Sequence, residues 1–433
     1  MAPPNLDPID DNLINDFISC IPPLITADHN RMLLAPFTLE EIKKVVSSFP
    51  PDKAPGPDGF TALFYQKCWD FIGSDLLAVV EESRRNAKMI RSFNSTNIAI
   101  IPKVKQPISF ANFRPISLCN MIYKLITKAI YMRLQKFIPH IISLDQGGFV
   151  PGRETWEGVV VAHETLHSIN SHQLSSFVIK LDMMKAYDRV RWSFLFKVIS
   201  KFGFSDKWCR WIKNCISGAW FSVIINGESI GFFPSSQGIR QGDPLSLVLF
   251  ILMADAFSRF INRSSQLGLW QGILIPHTSI TITHSLFADD TLLFGTSNVK
   301  EANHIKYALD LYSEVSGQRI NAKKSKIFIF NTDDAVARRI SSTFGFPVDQ
   351  LPSVYLGIPF FMGTNKINFW FPIIDRIRAR ISSWKARWLS LSGHILLIKA
   401  VLTAIPNYYL SILNAPSSII LQIQKIIIDF IWK

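Results

Sequence analysis

The sequence predicts an α+β fold with an antiparallel sheet at its centre, and three observations carry that prediction. Phe221 to Ile225 and Ser229 to Phe233 flank Asn226-Gly227, a strong hairpin signal. Ile280 to Leu286 and Thr291 to Phe294 flank Ala288-Asp289-Asp290, which reads as a second hairpin. Around these hairpins run stretches with helical spacing, such as Leu245 to Ile261. Helices interleaved with hairpins belong to the α+β class.

The elements follow in order. Pro51-Asp-Lys-Ala-Pro-Gly-Pro-Asp-Gly59 reads as a rigid, turn-rich loop, and helical spacing runs from about Leu63 to Lys88. Asn97 to Pro102 is a short strand ended by proline. Residues 118 to 138 form an amphipathic helix with Lys124, Lys128 and Arg133 on its basic positions. Ser176 to Leu181 is a buried strand, and Trp192 to Phe202 is helical. Ala302 to Val315 is a helix and Lys326 to Phe330 a strand. After Tyr355-Leu-Gly357 the spacing is mostly helical to the end. There is no internal repeat and no low-complexity tract.

With 433 residues the chain has room for two or three domains. Apolar residues are 48% and charged residues 18%, below the roughly 25% usual for soluble domains. The 46 Lys and Arg outnumber the 33 Asp and Glu, giving +13 and a pI near 9.5. That balance excludes disorder and points to a polyanionic partner. Residues 1 to 50 are locally acidic, whereas 351 to 433 carry Lys366, Arg376, Arg378, Arg380, Lys385, Arg387, Lys399, Lys425 and Lys433 against Asp375 and Asp429. The five cysteines form no Cys-x-x-Cys pair, which argues against a zinc module and for a reducing compartment. The N-terminal stretch lacks secretory-signal chemistry, and apolar runs such as Leu245 to Met253 are too short to cross a bilayer. A soluble or peripherally bound intracellular protein is expected.

Three carboxylates stand at the ends or turns of apolar strands. Asp182 follows Val178-Ile-Lys-Leu181, and Asp289 and Asp290 follow Ser285-Leu-Phe-Ala288. Carboxylates so placed are costly to desolvate without a positive partner. Neighbouring strand residues face opposite sides, so two adjacent aspartates approach one site only near a turn. Hard oxygen donors converging in this way suit Mg²⁺. An Asp-Asp in a turn is also ordinary turn chemistry. Gly238-Ile-Arg-Gln-Gly-Asp-Pro-Leu-Ser246 is a glycine- and proline-shaped loop leading into an apolar helix. Its backbone amides could hold a phosphate or a sugar edge. The same Asp243-Pro-Leu-Ser is good helix-capping chemistry. Neither Gly-x-x-x-x-Gly-Lys-[Ser/Thr] nor Gly-x-Gly-x-x-Gly occurs, so a P-loop or dinucleotide site has no support.

From about residue 38 to 433, motifs in this order resemble the reverse transcriptase of non-LTR (LINE-type) retrotransposons, in the plant style. They are Lys53-Ala-Pro-Gly-Pro-Asp-Gly-Phe60, Ile101-Pro-Lys103, Asn112-Phe-Arg-Pro-Ile-Ser-Leu118 and Gln146-Gly-Gly-Phe-Val-Pro-Gly-Arg153 in the fingers; Leu181-Asp-Met-Met-Lys-Ala-Tyr-Asp188 as motif A; Gly238 to Ser246 as motif B; Phe287-Ala-Asp-Asp290 as motif C; Ser316 to Ser325 as motif D; and Tyr355-Leu-Gly357 at the start of the thumb. The resemblance implies a right-hand polymerase: an acidic N-terminal extension (1–45), fingers (46–175), an antiparallel-sheet palm (176–350) and a helical thumb (351–433). It implies an RNA-directed DNA polymerase, a nucleotidyltransferase that uses two Mg²⁺ ions, or Mn²⁺, with an RNA template, a DNA primer and dNTPs as partners. No membrane is implied, and nuclear residence is the family's expectation.

Residue by residue, the resemblance makes Asp182, Asp289 and Asp290 the catalytic carboxylates, with the Met183 carbonyl as a further metal ligand. Lys103 and Arg114 would grip the triphosphate, Tyr187 would lie under the incoming sugar and reject a 2′-hydroxyl, and Gln241 and Gly242 would sit near the new base pair. Lys324 is the candidate proton donor to pyrophosphate, in competition with Lys323 and Lys326. Gly56, Arg153 and Arg240 are assigned to template or primer. Trp384 and Trp388, at helical spacing, are read as thumb core. Leu247, where many relatives have proline, and His394, where arginine is common, depart from the pattern. The family's endonuclease, Cys/His knuckle and ribonuclease H regions have no counterpart in these residues. The alternative reading is a catalytically silent RNA-binding retrotransposon relic or a maturase-like fragment.

Overall fold

The computed structural model describes residues 10–384 and 389–432. Lys385, Arg387, Trp388 and Lys433 lie outside the described residues. The strands, in chain order, are β1 (Ser95–Pro102), β2 (Phe113–Cys119), β3 (Ser176–Leu181), β4 (Trp220–Ile225), β5 (Glu228–Pro234), β6 (Ile273–Leu274), β7 (Thr281–Ile282), β8 (His284–Phe287), β9 (Asp290–Thr296), β10 (Lys326–Phe330), β11 (Ser353–Tyr355) and β12 (Ile358–Phe360).

The central sheet has the order β10-β3-β9-β8, and every pair in it is antiparallel. It is buried on both faces, and the alternation of side chains along a strand sorts them between two cores. Phe177, Ile179, Leu181, Leu293 and Ile327 enter the larger core, together with the Trp192–Lys201, Ser246–Gln266 and Val299–Ser316 helices. Val178, Leu292, Phe294 and Phe328 enter a second core built from the Thr155–Ser171 helix and from Tyr355, Trp370, Ile377 and Phe430. Burial on both faces explains why β3 reads as a nearly continuous apolar run. The Ser246–Gln266 helix has an unbroken buried run from Val248 to Ser258, the mark of a helix enclosed on all sides.

The second sheet has the order β2-β1-β4-β5. Asn226 and Gly227 both have positive φ, 51° and 88°, so the expected β4–β5 hairpin closes through the turn its sequence favours. This hairpin pairs in parallel with β1 through Ser95↔Trp220 to Ile98↔Val223. A sheet begun by residues 95–119 is therefore completed by residues 220–234, across the expected boundary at 175. The helical stretch after Leu63 is two helices, Ala62–Lys67 and Trp69–Asn86, separated at Cys68. The acidic N-terminal stretch is woven into the larger core: the Phe17 ring is fully buried and stacks on Phe260 at 4.7 Å, and Arg133 pairs with Glu41 at 3.0 Å. Beyond β12 the chain is helical, as its spacing predicts. All five cysteines are free, and no helix among the described residues is long and apolar enough to cross a membrane.

Candidate active site

Asp182 emerges from the end of β3 immediately after Leu181, which pairs with Thr291 of β9. The β8–β9 hairpin pairs Phe287 with Asp290 and turns through Ala288-Asp289, so all three aspartates stand at the same end of the central sheet. Ala288 has φ of 56° at a position that usually carries glycine, a strain of roughly 1 kcal/mol.

The 316–325 segment fastens Asp182. The Asn321 side-chain amide donates to Asp182 Oδ1 at 3.1 Å, and the Asp182 amide donates to Ser325 Oγ at 3.1 Å. The Asn321 amide donates to the Asp182 carbonyl at 2.8 Å, and the Met184 amide to the Arg319 carbonyl at 2.8 Å. Those two bonds flank the Met183–Ile320 bridge, which is therefore a non-hydrogen-bonded antiparallel pair. The Met183 carbonyl consequently points away from Ile320.

The carboxylates are electrostatically unrelieved. Burial pushes the Asp289 carboxyl above its ordinary range, the Asp182 charge adds to that push, and a backbone hydrogen bond and Arg114 oppose it. Asp290 is raised by burial, then by Asp289 and Asp182, with Lys180 in opposition. Like charges held together this way are the usual prelude to binding a cation. Among the described residues no group of three or more His, Cys, Asp and Glu is close enough to form a ligand cage by itself. The donor set is nevertheless all oxygen: three carboxylates and a backbone carbonyl turned from its neighbouring strand. That chemistry fits a hard divalent ion that completes its shell from water and substrate phosphates.

Asp289 opens into a cavity of about 940 Å³ that also takes in Gly56, Arg114, Tyr187, Arg240, Gln241 and Gly242. Gly56 packs so tightly on the chain at Cys119–Asn120 that a Cβ would lie 2.4 Å from the Asn120 nitrogen. Arg114 is exposed on β2, with its charge acting on Asp289. The Tyr187 ring stacks on Phe250 at 4.9 Å, and burial, then the Asp289 charge, push its phenol well up. The Ser117 amide donates to the Gln241 carbonyl at 2.9 Å, which docks the 238–246 loop on β2. Lys124 and Lys128 line the same cavity from the Met121–Leu134 helix.

Several sequence assignments change. Arg240, assigned to template or primer, is buried. Its guanidinium donates to the Cys215 carbonyl at 2.9 Å, to Thr96 Oγ1 at 3.3 Å and to Asn94 Oδ1, and it lies 4.1 Å over the Tyr123 ring. It ties the loop to the second sheet. Arg153, given the same role, donates to the carbonyls of Ile142 at 2.9 Å and Gln146 at 2.6 Å, and so braces its own loop. The amides before the Ser246–Gln266 helix are no free anion cradle. Asp243 is buried, accepts from the Leu245 amide at 3.1 Å and receives the Tyr123 hydroxyl at 2.9 Å, so the capping chemistry prevails. Lys103 is exposed, with its charge acting on Asp188. Lys324 is exposed in the turn beginning at Asn321, whereas Lys326 pairs with Asp349. Trp384 packs against Phe430 at 5.5 Å, and His394 is buried at 4.7 Å from the same ring.

Sequence reasoning missed Asn321, Ser325 and Lys180. The first and second lie inside the 316–325 motif. Lys180 precedes Leu181, donates to the Val354 carbonyl, and places its positive charge by Asp290. A lysine inside an apolar strand that ends in aspartate is the signal that could have found it.

A family model described as reverse transcriptase (RNA-dependent DNA polymerase) matches residues 101–360, which include every aspartate of the site. The chain belongs to the reverse transcriptase family. Among its relatives is the transposon TX1 149 kDa protein of Xenopus laevis, 26% identical over 95% of this chain and 31% of that protein. The Pol polyprotein of the type-2 retrotransposable element R2DM of Drosophila melanogaster is 24% identical over 71% of this chain and 28% of its own length. The RNA-directed DNA polymerase of the mobile element jockey of Drosophila funebris is 28% identical over 64% and 30%. This reverse transcriptase chain spans about a third or less of each of these relatives.

Proposed function

We propose that the chain is an RNA-directed DNA polymerase that adds dNTPs to a DNA 3′-end along an RNA template. The carrying observation is the meeting of Asp182, Asp289 and Asp290 at one end of the central sheet, beside a cavity that also holds Arg114 and Tyr187. On this reading the central sheet is the palm, the β2-β1-β4-β5 sheet belongs to the fingers, and the helices after residue 351 form the thumb. The fingers then draw on residues 220–234 as well as on 46–175.

Asp182, Asp289, Asp290 and the Met183 carbonyl would hold two Mg²⁺ ions, or Mn²⁺, which supply activation of the 3′-hydroxyl and charge neutralisation on the leaving pyrophosphate. The chain's own residues do the rest. Arg114 grips the triphosphate by its planar fork, with Lys103 further out as a second cation. Tyr187, fixed by its stack on Phe250, presents a ring edge under the sugar and leaves no room for a 2′-hydroxyl. Gln241 and Gly242, held by Ser117, border the nascent base pair. Lys324 is the group on the 316–325 turn free to protonate pyrophosphate. Catalysis is then mainly positioning and charge stabilisation. The basic excess serves the template–primer duplex, and the chain would work in the nucleus. Primer extension by the purified protein, on a polyriboadenylate template with an oligodeoxythymidine primer, tests the reading. Incorporation of dTTP supports it; salt-sensitive RNA binding without incorporation supports a silent RNA-binding relic instead.

A further inference from the structure

The turn that carries Asp289 is not stabilised by its own sequence. Ala288 holds a positive φ where glycine would be at ease, and β8 before it is the edge strand of the central sheet. An edge strand and a strained turn together make a poor platform for a carboxylate that must stay put.

The 145–148 segment supplies the missing support. The Gly147 amide donates to the Leu286 carbonyl and the Leu286 amide to the Asp145 carbonyl, each at 2.8 Å, which adds a short parallel bridge to the free edge of β8. Gln146 is fully buried, and its Oε1 accepts from the amides of Gly148 and Ala288, both at 2.9 Å. Its Nε2 is buried without a partner among the described residues. Two amide donors converging on one side-chain atom fix which end of the amide is oxygen. A side chain kept only to fill space would not carry an unpartnered NH₂ group, because a methionine of the same length would avoid that cost. What the glutamine provides is the acceptor. Gly148 lies so close that a Cβ there would come 2.6 Å from the Ala288 nitrogen. The segment is itself anchored from the Ser246–Gln266 helix, where Asn262 donates to Asp145 Oδ2 at 2.9 Å and the Ser143 amide donates to Asp255 Oδ1 at 2.8 Å.

We propose that Gln146 is a positioning residue for the catalytic turn: its side-chain oxygen holds the Ala288 amide and thereby fixes the direction in which Asp289 presents its carboxylate. This role rests on the polymerase reading of the aspartates, but it belongs to a residue that touches neither metal nor substrate.

The test compares the full chain with Gln146→Met, which fills the space without an acceptor, and Gln146→Glu, which keeps the acceptor. The probe is Mn²⁺ alone, its free concentration followed by electron paramagnetic resonance, alongside a thermal melt and dTTP extension kinetics. Gln146→Met is expected to weaken Mn²⁺ binding roughly 10- to 100-fold and to lower kcat by a similar factor, as for other residues that orient metal ligands. KM for dTTP should stay within about 3-fold, because the Arg114 side of the cavity is untouched. Gln146→Glu should restore Mn²⁺ affinity to within about 3-fold of the parent chain. Unchanged Mn²⁺ affinity in Gln146→Met overturns the proposal, as does a Gln146→Glu variant equally impaired. Should Gln146→Met lose its melting transition, Gln146→Asn carries the same expectation, since it draws the oxygen back by one methylene. A parent chain that extends no primer, yet loses Mn²⁺ affinity on Gln146→Met, would sink the polymerase reading and leave the positioning role standing.

Discussion

Arg240→Met separates a buried strut from a nucleic-acid contact. The substitution keeps most of the side-chain volume and removes the guanidinium. Asn94 Oδ1 then loses the donor it has in Arg240, inside a buried cluster, at about 1–3 kcal/mol. The ring contact with Tyr123 at 4.1 Å contributes about another 0.5–2 kcal/mol. Relief from burying a lone charge offsets part of this, leaving a net loss of about 2–4 kcal/mol. At about 2.1 cal/mol/K per residue, 433 residues give an unfolding entropy near 0.9 kcal/mol/K, so the melting temperature should fall by about 2–4 °C. A melt followed by circular dichroism measures that. RNA affinity against salt is the companion assay: a buried strut leaves the slope of log K on log salt unchanged, whereas loss of a phosphate contact would lower it by about 0.7–0.9. An unchanged melt with a shallower salt slope would refute the strut and return Arg240 to the template path.

Arg153→Ala should behave alike, lowering the melt through unpaired loop carbonyls while leaving the salt slope as it is. Tyr187→Val should raise ribonucleotide relative to deoxynucleotide incorporation by roughly 10- to 200-fold, read from paired single-nucleotide extension rates; unaltered selectivity would remove Tyr187 from the sugar pocket. Asn321→Ala frees Asp182 Oδ1 and should cost roughly 10-fold in kcat with little change in KM for dNTP. Asp289 and Asp290 are raised in the fold, so the native state takes up their protons before the unfolded chain does, and their ionised pair destabilises it above the raised range. In metal-free buffer the Asp289→Asn, Asp290→Asn double variant should therefore melt above the parent chain at pH 7. That advantage should shrink as pH falls toward the ordinary carboxylate range, and an advantage that grows on acidification would contradict the sign.

The local signals were readable because they rest on backbone chemistry. Asn226-Gly227 sets a turn with positive φ at both residues, and Asp182 and Asp289-Asp290 sit where apolar strands stop. The non-local pairings carried no such mark. The parallel bond between β1 and β4 joins segments more than a hundred residues apart, and nothing in residues 220–234 announces that partner. Arginine was the hardest residue to place. Arg114 and Arg240 look alike in sequence, yet one is exposed on β2 and the other is engaged by carbonyls and an aromatic ring. Gln146 and Asn321 lay within motifs but were passed over, because their roles depend on single hydrogen bonds to residues 142 and 139 positions away.

The most direct test of the central claim is extension of a DNA primer on an RNA template with Mg²⁺ by the Asp289→Asn variant beside the parent chain. The account predicts extension by the parent, loss of at least about 1,000-fold in the variant, and a melting temperature in the variant no lower than the parent's. Extension retained by a folded Asp289→Asn protein would contradict it.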